Sequence, residues 1–215
     1  MEEVARDGNL VLRRREDGSL ELRANGVFVM DTVETTTERE LAARALALHH
    51  APVRVLIGGL GLGFTLAEVL SDDRVGRVTV VEIEHALVEW LHDGTVRAGP
   101  PLLADPRVDV EVADVGLVLQ LAAPSSYDLV LLDVDNGPGY LVHDANAALY
   151  DVPALAEAKR VTRPGGMVVV WSAAESPTLE ATMGEVFGRW RVEALAFPVD
   201  LQGRRETYWL YVGHI

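Results

Sequence analysis

Cysteine is absent from this 215-residue sequence, and lysine occurs once, at Lys159. Without cysteine the chain has no disulfide bond, no thiolate metal site and no cysteine nucleophile, and this absence fits an intracellular protein. No other arrangement of side chains in the sequence predicts a metal site, so we expect none.

Long apolar runs are also missing. None approaches the roughly 20 residues that a bilayer-spanning helix needs. The first residues, Met1 to Asp7, are acidic, whereas the start of a signal peptide is basic. We therefore expect a cytoplasmic protein without a membrane partner.

Positive charge is scarce, because 19 lysine and arginine residues stand against 33 aspartate and glutamate residues, a net charge of -14. A protein that binds nucleic acid presents a positive surface to the phosphates, so we expect no nucleic-acid partner. A cationic or neutral small molecule is easier to accommodate. Many acidic proteins are simply soluble, however, and the charge then says nothing about the ligand.

The length predicts one substantial domain with at most a small appendage. Segments with β character at Leu10–Arg15, Ser19–Ala24 and Val27–Met30 are separated by turn signals. We therefore expect residues 1–35 to form a small N-terminal β-hairpin extension and residues 36–215 to form a single catalytic domain.

From Val53 onward, short apolar runs alternate with amphipathic stretches of helical length, which is typical of a parallel sheet covered on both faces. The predicted strands are Val53–Ile57, Arg77–Ile83, Val108–Val112, Tyr127–Asp133 and Gly166–Trp171. The predicted helices between them are Thr65–Leu70, Ala86–Leu91, Val115–Ala122 and Val152–Val161, with a turn at Pro164-Gly165-Gly166 before the fifth strand.

The segments on either side complete the pattern. A helix over Thr36–His50, with a threonine cluster available as its N-cap, precedes the first core strand. A helix over Pro177–Trp190 is followed by strands Val192–Pro198 and Glu206–Val212, joined by a turn around Gln202-Gly203. This order predicts an α/β fold of the Rossmann-like methyltransferase type, a mostly parallel seven-stranded sheet that ends in an antiparallel hairpin.

Three elements at successive strand ends favour binding of an adenosine group. Gly59, Gly61 and Gly63 join the first core strand to a helix and allow a ligand to approach the backbone closely, although a tight turn without a ligand is the alternative. Glu82 ends the next strand at the position where a carboxylate accepts hydrogen bonds from ribose hydroxyls, with Glu84 as the second choice. Asp114 follows the third strand and is a candidate acceptor for the adenine amino group or a helix N-cap.

Carboxylates also follow the fourth strand, where Asp133, Asp135 and Asn136 face the crevice in which open α/β sheets bind ligands. In a transfer reaction, a carboxylate at this place can orient the nucleophile and accept its proton. Asp133 and Asp135 are therefore the candidate catalytic residues.

Taken together, these motifs resemble the spermidine synthase family of aminopropyltransferases. That family's glycine loop, GGGDGGTL, aligns without a gap with residues 59–66, which read GLGLGFTL. The family's VEID aligns with residues 81–84 and its GD with residues 113–114. Its DxxDPxGP loop and the following FY align with residues 133–140 and 149–150.

The resemblance implies a transferase that binds S-adenosylmethionine or its decarboxylated form as a co-substrate and passes an aminopropyl group to a small amine. It implies that Ile83 and Ala113 contact the nucleoside together with Asp133 and the residues named above. Asn136, Tyr140 and Tyr150 are the implied substrate-binding residues, although the two tyrosines also suit core packing. The resemblance further implies a homodimer, which the apolar strand Val27–Met30 would help to form.

Three departures from the family pattern affect this interpretation. Leu62 replaces the acidic residue of the glycine loop, Asn136 replaces the second acid of the DxxD motif, and Glu38-Arg39-Glu40 replaces a Tyr-His-Glu. They leave open two alternatives, a methyltransferase that uses S-adenosylmethionine on a small molecule and a nucleoside-binding homologue without catalysis. A dehydrogenase would share only the glycine loop, and the terminal hairpin argues against it.

Two further side chains have ambiguous positions in the sequence. His143 lies in the loop after the acidic segment, where it either reaches the site or stays on the surface. Trp171 lies near the end of the fifth core strand and either lines the acceptor pocket or packs in the core.

Overall fold

The computed structural model describes residues 1–135, 137–139, 141, 143–201 and 204–215. Two sheets are present, an antiparallel sheet of four strands and a mostly parallel sheet of seven. The predicted α/β fold with a C-terminal antiparallel hairpin is therefore confirmed. Within the described ranges, no helix has the length and apolarity needed to cross a membrane.

The N-terminal sheet is a meander in which each strand pairs with the next. Its strands are β1 (Glu2–Asp7), β2 (Leu10–Arg14), β3 (Leu20–Ala24) and β4 (Val27–Asp31). The sequence predicted the last three of these strands. It missed β1, an edge strand in which only Val4 and Ala5 are apolar and pack against the core.

The larger sheet has the strand order β10-β11-β9-β8-β5-β6-β7. Its strands are β5 (Arg54–Gly58), β6 (Arg77–Glu82), β7 (Val108–Val112), β8 (Tyr127–Leu132), β9 (Thr162–Ser172), β10 (Val192–Leu201) and β11 (Arg204–His214). The central strands are buried on both faces, which explains their nearly unbroken runs of valine, leucine and isoleucine.

Helices cover both faces of this sheet. They are α1 (Thr36–Leu48), α2 (Phe64–Leu70), α3 (His85–His92), α4 (Gly99–Leu103), α5 (Val115–Leu121), α6 (Val152–Val161) and α7 (Pro177–Met183), with a 3₁₀ helix at Asp144–Tyr150. The sequence analysis missed α4 and the 3₁₀ helix, because both are too short to show a helical period.

Several predicted boundaries were wrong. The helix predicted over Pro177–Trp190 is α-helical only to Met183, and it continues as a π-helical turn at Gly184–Gly188 and a 3₁₀ turn at Arg189–Arg191. Gly188 has a φ of 95°, which separates the π-helical turn from the 3₁₀ turn. Thr35 occupies the N-cap of α1, but its side chain makes no capping hydrogen bond.

The predicted turn at Pro164-Gly165-Gly166 was also wrong, because β9 begins at Thr162 and includes these residues. The pairing of β8 with β9 changes register between Tyr127 and Leu129, which accommodates the extra residues. The terminal strands β10 and β11 are longer than predicted, and the turn predicted at Gln202-Gly203 lies outside the described residues.

The N-terminal sheet packs on the same hydrophobic core as the larger sheet. Leu12 and Leu22 belong to one buried cluster with Ile57, Leu62 and Leu66. The small sheet thereby forms a cover over the turn between β5 and α2. This cover and the carboxyl ends of β5, β6, β7 and β8 enclose the cavity described next.

Candidate active site

A cavity lies at the carboxyl ends of the central parallel strands, beneath the N-terminal sheet. Its described wall combines apolar side chains with carboxylates and contains no lysine or arginine. The six carboxylate residues of the wall are Glu38, Glu82, Glu84, Asp114, Asp133 and Asp135. Six carboxyl groups in a wall without lysine or arginine favour a ligand that carries positive charge.

The turn after β5 depends on glycine at two places. Gly59 has a φ of 96°, and a Cβ atom there would lie 2.2 Å from the carbonyl oxygen of Asp133. At Gly61, a Cβ atom would lie 2.7 Å from the sulfur of Met30, which itself accepts a 3.1 Å hydrogen bond from the Leu62 amide. The loop is therefore fixed between β8 and the N-terminal sheet.

The third glycine of this turn has a different position. Gly63 is the N-cap residue of α2 and does not belong to the described lining of the cavity, whereas Gly59 and Gly61 do. Two of the three predicted glycines therefore face the cavity. Gly63 shapes the entry into the helix.

Glu82 is buried at the end of β6, with 8% of its surface exposed. Its carboxylate accepts hydrogen bonds from the amides of Leu60 at 2.8 Å and Glu84 at 2.9 Å. Burial raises the pKa of Glu82, while these backbone amides act in the opposite direction by stabilising the charged form. The adjacent Ile83 is half exposed and lines the cavity beside it.

Asp114 combines both roles considered from its sequence position. It is the N-cap of α5, where its Oδ1 atom accepts from the amides of Gly116 at 2.7 Å and Leu117 at 3.3 Å. It also lines the cavity, as does Ala113. Both capping bonds use Oδ1, so Oδ2 has no hydrogen bond to the described part of the chain.

Asp133 follows β8 and is partly buried at the cavity wall. Its Oδ2 atom accepts a 2.5 Å hydrogen bond from the Thr65 hydroxyl. Burial raises the pKa of Asp133 to about 7, assisted by the negative charge of Glu38 and opposed by the bond from Thr65. A carboxyl group with this pKa exchanges a proton readily near neutral pH.

Asp135 has a left-handed backbone with a φ of 53°, which is uncommon for a residue other than glycine. Its carboxylate accepts a 2.9 Å hydrogen bond from the side-chain amide of Asn146, a buried residue of the 3₁₀ helix. Asp135 and Asn146 both line the cavity. The sequence predicted Asp135 as a site residue but gave no sign of Asn146.

Tyr150 lies behind this loop and is not part of the described cavity wall. Its side chain is 7% exposed, and its hydroxyl donates a 2.8 Å hydrogen bond to the Val134 carbonyl. Burial raises the pKa of this hydroxyl well above its usual range. Two other predicted site residues, Asn136 and Tyr140, lie outside the described residues.

Three further side chains belong to the wall. Glu38 comes from α1, where the sequence analysis noted Glu38-Arg39-Glu40 in place of the family's Tyr-His-Glu but predicted no site residue. His143 lines the cavity and approaches Glu84, with 3.3 Å between its Nε2 atom and Oε1. Trp171 is 7% exposed, and its indole N–H has no hydrogen-bond partner among the described residues.

Comparison with known proteins gives a family match. The family model that describes the spermine/spermidine synthase domain matches residues 34–187 of the chain. Polyamine aminopropyltransferase 2 of Pseudomonas aeruginosa is 35% identical over 134 residues, which are 60% of this chain and 36% of that protein. Spermidine synthase 1 of Pisum sativum is 31% identical over 155 residues, which are 66% of this chain and 43% of that protein.

The chain thus spans less than half the length of these two relatives. Among solved structures, spermidine synthase from Thermotoga maritima superimposes with a TM-score of 0.76 over 95% of this chain and 68% of that one. The sequence identity of that pair is 16%, so this likeness concerns the fold.

Proposed function

Because the chain belongs to the spermine/spermidine synthase family, we propose that it transfers an aminopropyl group from decarboxylated S-adenosylmethionine to a small amine. The observation that carries this proposal is the cavity wall itself. It brings carboxylates from the ends of three parallel strands, β6, β7 and β8, to one place and contains no lysine or arginine within the described residues. Both substrates of such a reaction are cations, one a sulfonium and the other an amine.

We assign the nucleoside to the side of the cavity formed by β5, β6 and β7. Gly59 and Gly61 line this side of the cavity, and Gly63 sets the direction of α2. Glu82 accepts hydrogen bonds from the ribose hydroxyls through lone pairs that its amide contacts leave free. The Oδ2 atom of Asp114 accepts a hydrogen bond from the adenine amino group, and Ile83 and Ala113 contact the ring.

The reaction side of the cavity contains Asp133 and Asp135. A neutral amine nitrogen attacks the methylene carbon beside the sulfonium sulfur, a C–N bond forms, and the C–S bond breaks. The bonding electrons remain on sulfur, which yields 5′-methylthioadenosine. The proton that the amine must lose passes to a carboxylate, and Asp133, whose pKa is about 7, is suited to accept it.

Asp135 orients the amine in this proposal. Its left-handed backbone and its bond from Asn146 hold the carboxylate at the cavity wall. Tyr150 supports the same loop through the Val134 carbonyl, which assigns it an indirect part in substrate binding. The roles of Asn136 and Tyr140 as substrate-binding residues stay predictions.

The test is turnover by the purified chain with decarboxylated S-adenosylmethionine and a panel of amines that includes putrescine. Mass spectrometry should detect 5′-methylthioadenosine together with an amine heavier by one aminopropyl group. Asp133→Asn should abolish the product without abolishing nucleoside binding. No aminopropylated amine across the panel would contradict the proposal.

Methyl transfer from S-adenosylmethionine is the second candidate. It rests on Leu62, a fully buried apolar side chain in the glycine loop where the family resemblance predicts an acid. The same assay distinguishes it, since a methylated amine and S-adenosylhomocysteine would appear with S-adenosylmethionine as donor. Nucleoside binding without either product would indicate a binding protein that lacks catalysis.

We also propose a homodimer that buries the N-terminal sheet. Val27 and Phe28 of β4 are 47% and 43% exposed, and this strand is at the edge of its sheet. Light scattering should give twice the mass of the chain. A monomer at high concentration would contradict the dimer, and the expectation of a cytoplasmic location stays a prediction.

A further inference from the structure

Glu38 belongs to the cavity wall but comes from α1, outside the strand ends that carry the other carboxylates. Its side chain is partly buried and accepts a 2.6 Å hydrogen bond from the Thr37 hydroxyl. No arginine, lysine or histidine of the described chain forms an ion pair with it. The neighbouring Arg39 pairs instead with Glu68, at 3.2 Å.

Contacts with α2 fix the position of Glu38. Helix α1 packs against α2, and the Thr65 hydroxyl of α2 lies 3.4 Å from the Glu38 carbonyl oxygen. The same hydroxyl donates to Asp133. Thr65 therefore connects the backbone of Glu38 to the carboxylate proposed as the proton acceptor.

The two carboxylates raise each other's energy when both are charged. After burial, the charge of Glu38 is the main cause that raises the pKa of Asp133. Burial raises the pKa of Glu38 as well, with further contributions from Glu34 and Asp31. A cation placed between Glu38 and Asp133 would remove this repulsion, because each carboxylate then faces a positive charge.

From this geometry we propose that Glu38 is a substrate-binding residue that, with Asp133, holds a primary alkylammonium group in the cavity. This inference rests on the proposed function and specifies how its cationic ligand is recognised. Glu38 sets specificity for a ligand with a protonated amine over one without it. The alkylammonium group belongs either to the aminopropyl end of the co-substrate or to the amine acceptor, and binding measurements separate these sources.

The experiment is isothermal calorimetry on the whole chain, with wild type compared to Glu38→Gln. Three probes are titrated: 5′-methylthioadenosine, which lacks an ammonium group, decarboxylated S-adenosylmethionine, and putrescine added to the protein saturated with 5′-methylthioadenosine. Glutamine retains the acceptor oxygen for Thr37 and removes only the charge. Glu40→Gln on the same helix is the control, because Glu40 pairs with Arg44 and lies outside the described cavity wall.

We expect Glu38→Gln to lower the affinity for at least one of the two ammonium ligands by about ten- to a hundredfold, because one charge-assisted hydrogen bond is lost. Its affinity for 5′-methylthioadenosine should match that of Glu40→Gln, and its melting temperature should be no lower, because the substitution removes the repulsion between Glu38 and Asp133. A lower affinity for decarboxylated S-adenosylmethionine alone would assign the alkylammonium group to the co-substrate. A lower affinity for putrescine alone would assign it to the acceptor.

Equal binding of both ammonium ligands by wild type and Glu38→Gln would overturn the inference. An equal loss for 5′-methylthioadenosine would overturn it too, because the effect would then be structural. Failure of wild type to bind either ammonium ligand would have the same consequence. Intact ammonium binding without any turnover would instead contradict the proposed transfer and leave the role of Glu38 standing.

Discussion

The hydroxyl of Thr65, in the first turn of α2, donates a 2.5 Å hydrogen bond to the carboxylate of Asp133 at the end of β8. This bond stabilises the charged form of Asp133, whereas burial and Glu38 favour the neutral form. The balance leaves the pKa of Asp133 at about 7. The proposed base is therefore ionised above neutral pH and protonated below it.

Replacing Thr65 with valine should shift the pH dependence of turnover. The substitution removes the donor and keeps the shape, so the pKa of Asp133 should rise by about one unit, as expected for a lost hydrogen bond to a charged group. The rate of aminopropyl transfer, measured from pH 6 to 10, should reach half its maximum at a correspondingly higher pH. Thr182→Val, which removes a hydroxyl on the exposed face of α7, should leave the profile unchanged, and coinciding profiles for all three proteins would contradict the role of Thr65.

Asp133 should also make stability depend on pH. Its pKa is about 7 in the folded chain and 3.8 in its reference state, so the folded chain binds more protons between these values. Stability should therefore fall as pH rises from about 4 to about 7. Asp133→Asn removes this dependence and should raise the free energy of unfolding at pH 8 relative to wild type.

Urea unfolding at pH 5 and pH 8 measures this effect. The gain in the free energy of unfolding from Asp133→Asn should be larger at pH 8 than at pH 5, by up to a few kcal/mol. The exposed Asp73 provides the control, and Asp73→Asn should behave like wild type at both values. A gain for Asp133→Asn that is the same at pH 5 and pH 8 would show that the buried carboxyl does not titrate as described.

Alanine at Gly59 should destabilise the chain and prevent nucleoside binding. Its Cβ atom would overlap the Asp133 carbonyl oxygen at 2.2 Å, and the backbone has a positive φ. Gly18 also has a positive φ, yet a Cβ atom there meets nothing within 4 Å. Gly18→Ala should therefore cost only about 1 to 2 kcal/mol, the strain of a left-handed residue.

The difference between the two variants isolates the steric clash from the backbone strain. Denaturant unfolding and calorimetry with 5′-methylthioadenosine measure both consequences. If the two variants lost the same stability and Gly59→Ala still bound the nucleoside, the close approach of β5 and β8 at this point would be disproved.

Arg15 should contribute more to stability than a typical surface arginine. It makes 2.7 Å ion pairs with Glu21 and with Asp31, two carboxylates that are nearly buried. Arg15→Ala should cost about 2 kcal/mol, because both carboxylates would lose a partner. Arg6 pairs with Glu3 on the surface, and Arg6→Ala should cost less than about 1 kcal/mol.

Thermal unfolding of Arg15→Ala and Arg6→Ala gives the comparison. Because the N-terminal sheet covers the glycine loop, Arg15→Ala should also weaken binding of 5′-methylthioadenosine. Equal losses of stability in the two variants would mean that Glu21 and Asp31 do not need the positive charge of Arg15.

Much of the fold could be predicted because the central strands are buried on both faces and therefore have uniformly apolar sequences. The positions of Glu82, Asp114 and Asp133 followed from this, since the carboxyl ends of parallel strands lie along one edge. Strand β1 could not be predicted, because its residues are mostly charged and its pairing with β2 is the main sign of it. The π-helical turn after Met183 depends on tertiary packing, which the spacing of apolar residues in the sequence does not predict.

The site residues that the sequence missed share one property. Glu38, Asn146 and Met30 reach the cavity from positions away from the ends of the core strands, so the rule that ligands bind at strand ends does not indicate them. Their contribution depends on how α1, the 3₁₀ helix and the N-terminal sheet pack against the glycine loop and the segment after β8. Such contacts between distant segments are a property of the tertiary structure.

The most direct measurement is a crystal structure of the chain with bound 5′-methylthioadenosine. The ribose hydroxyls should lie within hydrogen-bonding distance of Glu82, the adenine amino group should lie near Asp114, and the sulfur should face Asp133. A nucleoside bound elsewhere, or one whose sulfur points away from Asp133, would contradict the account.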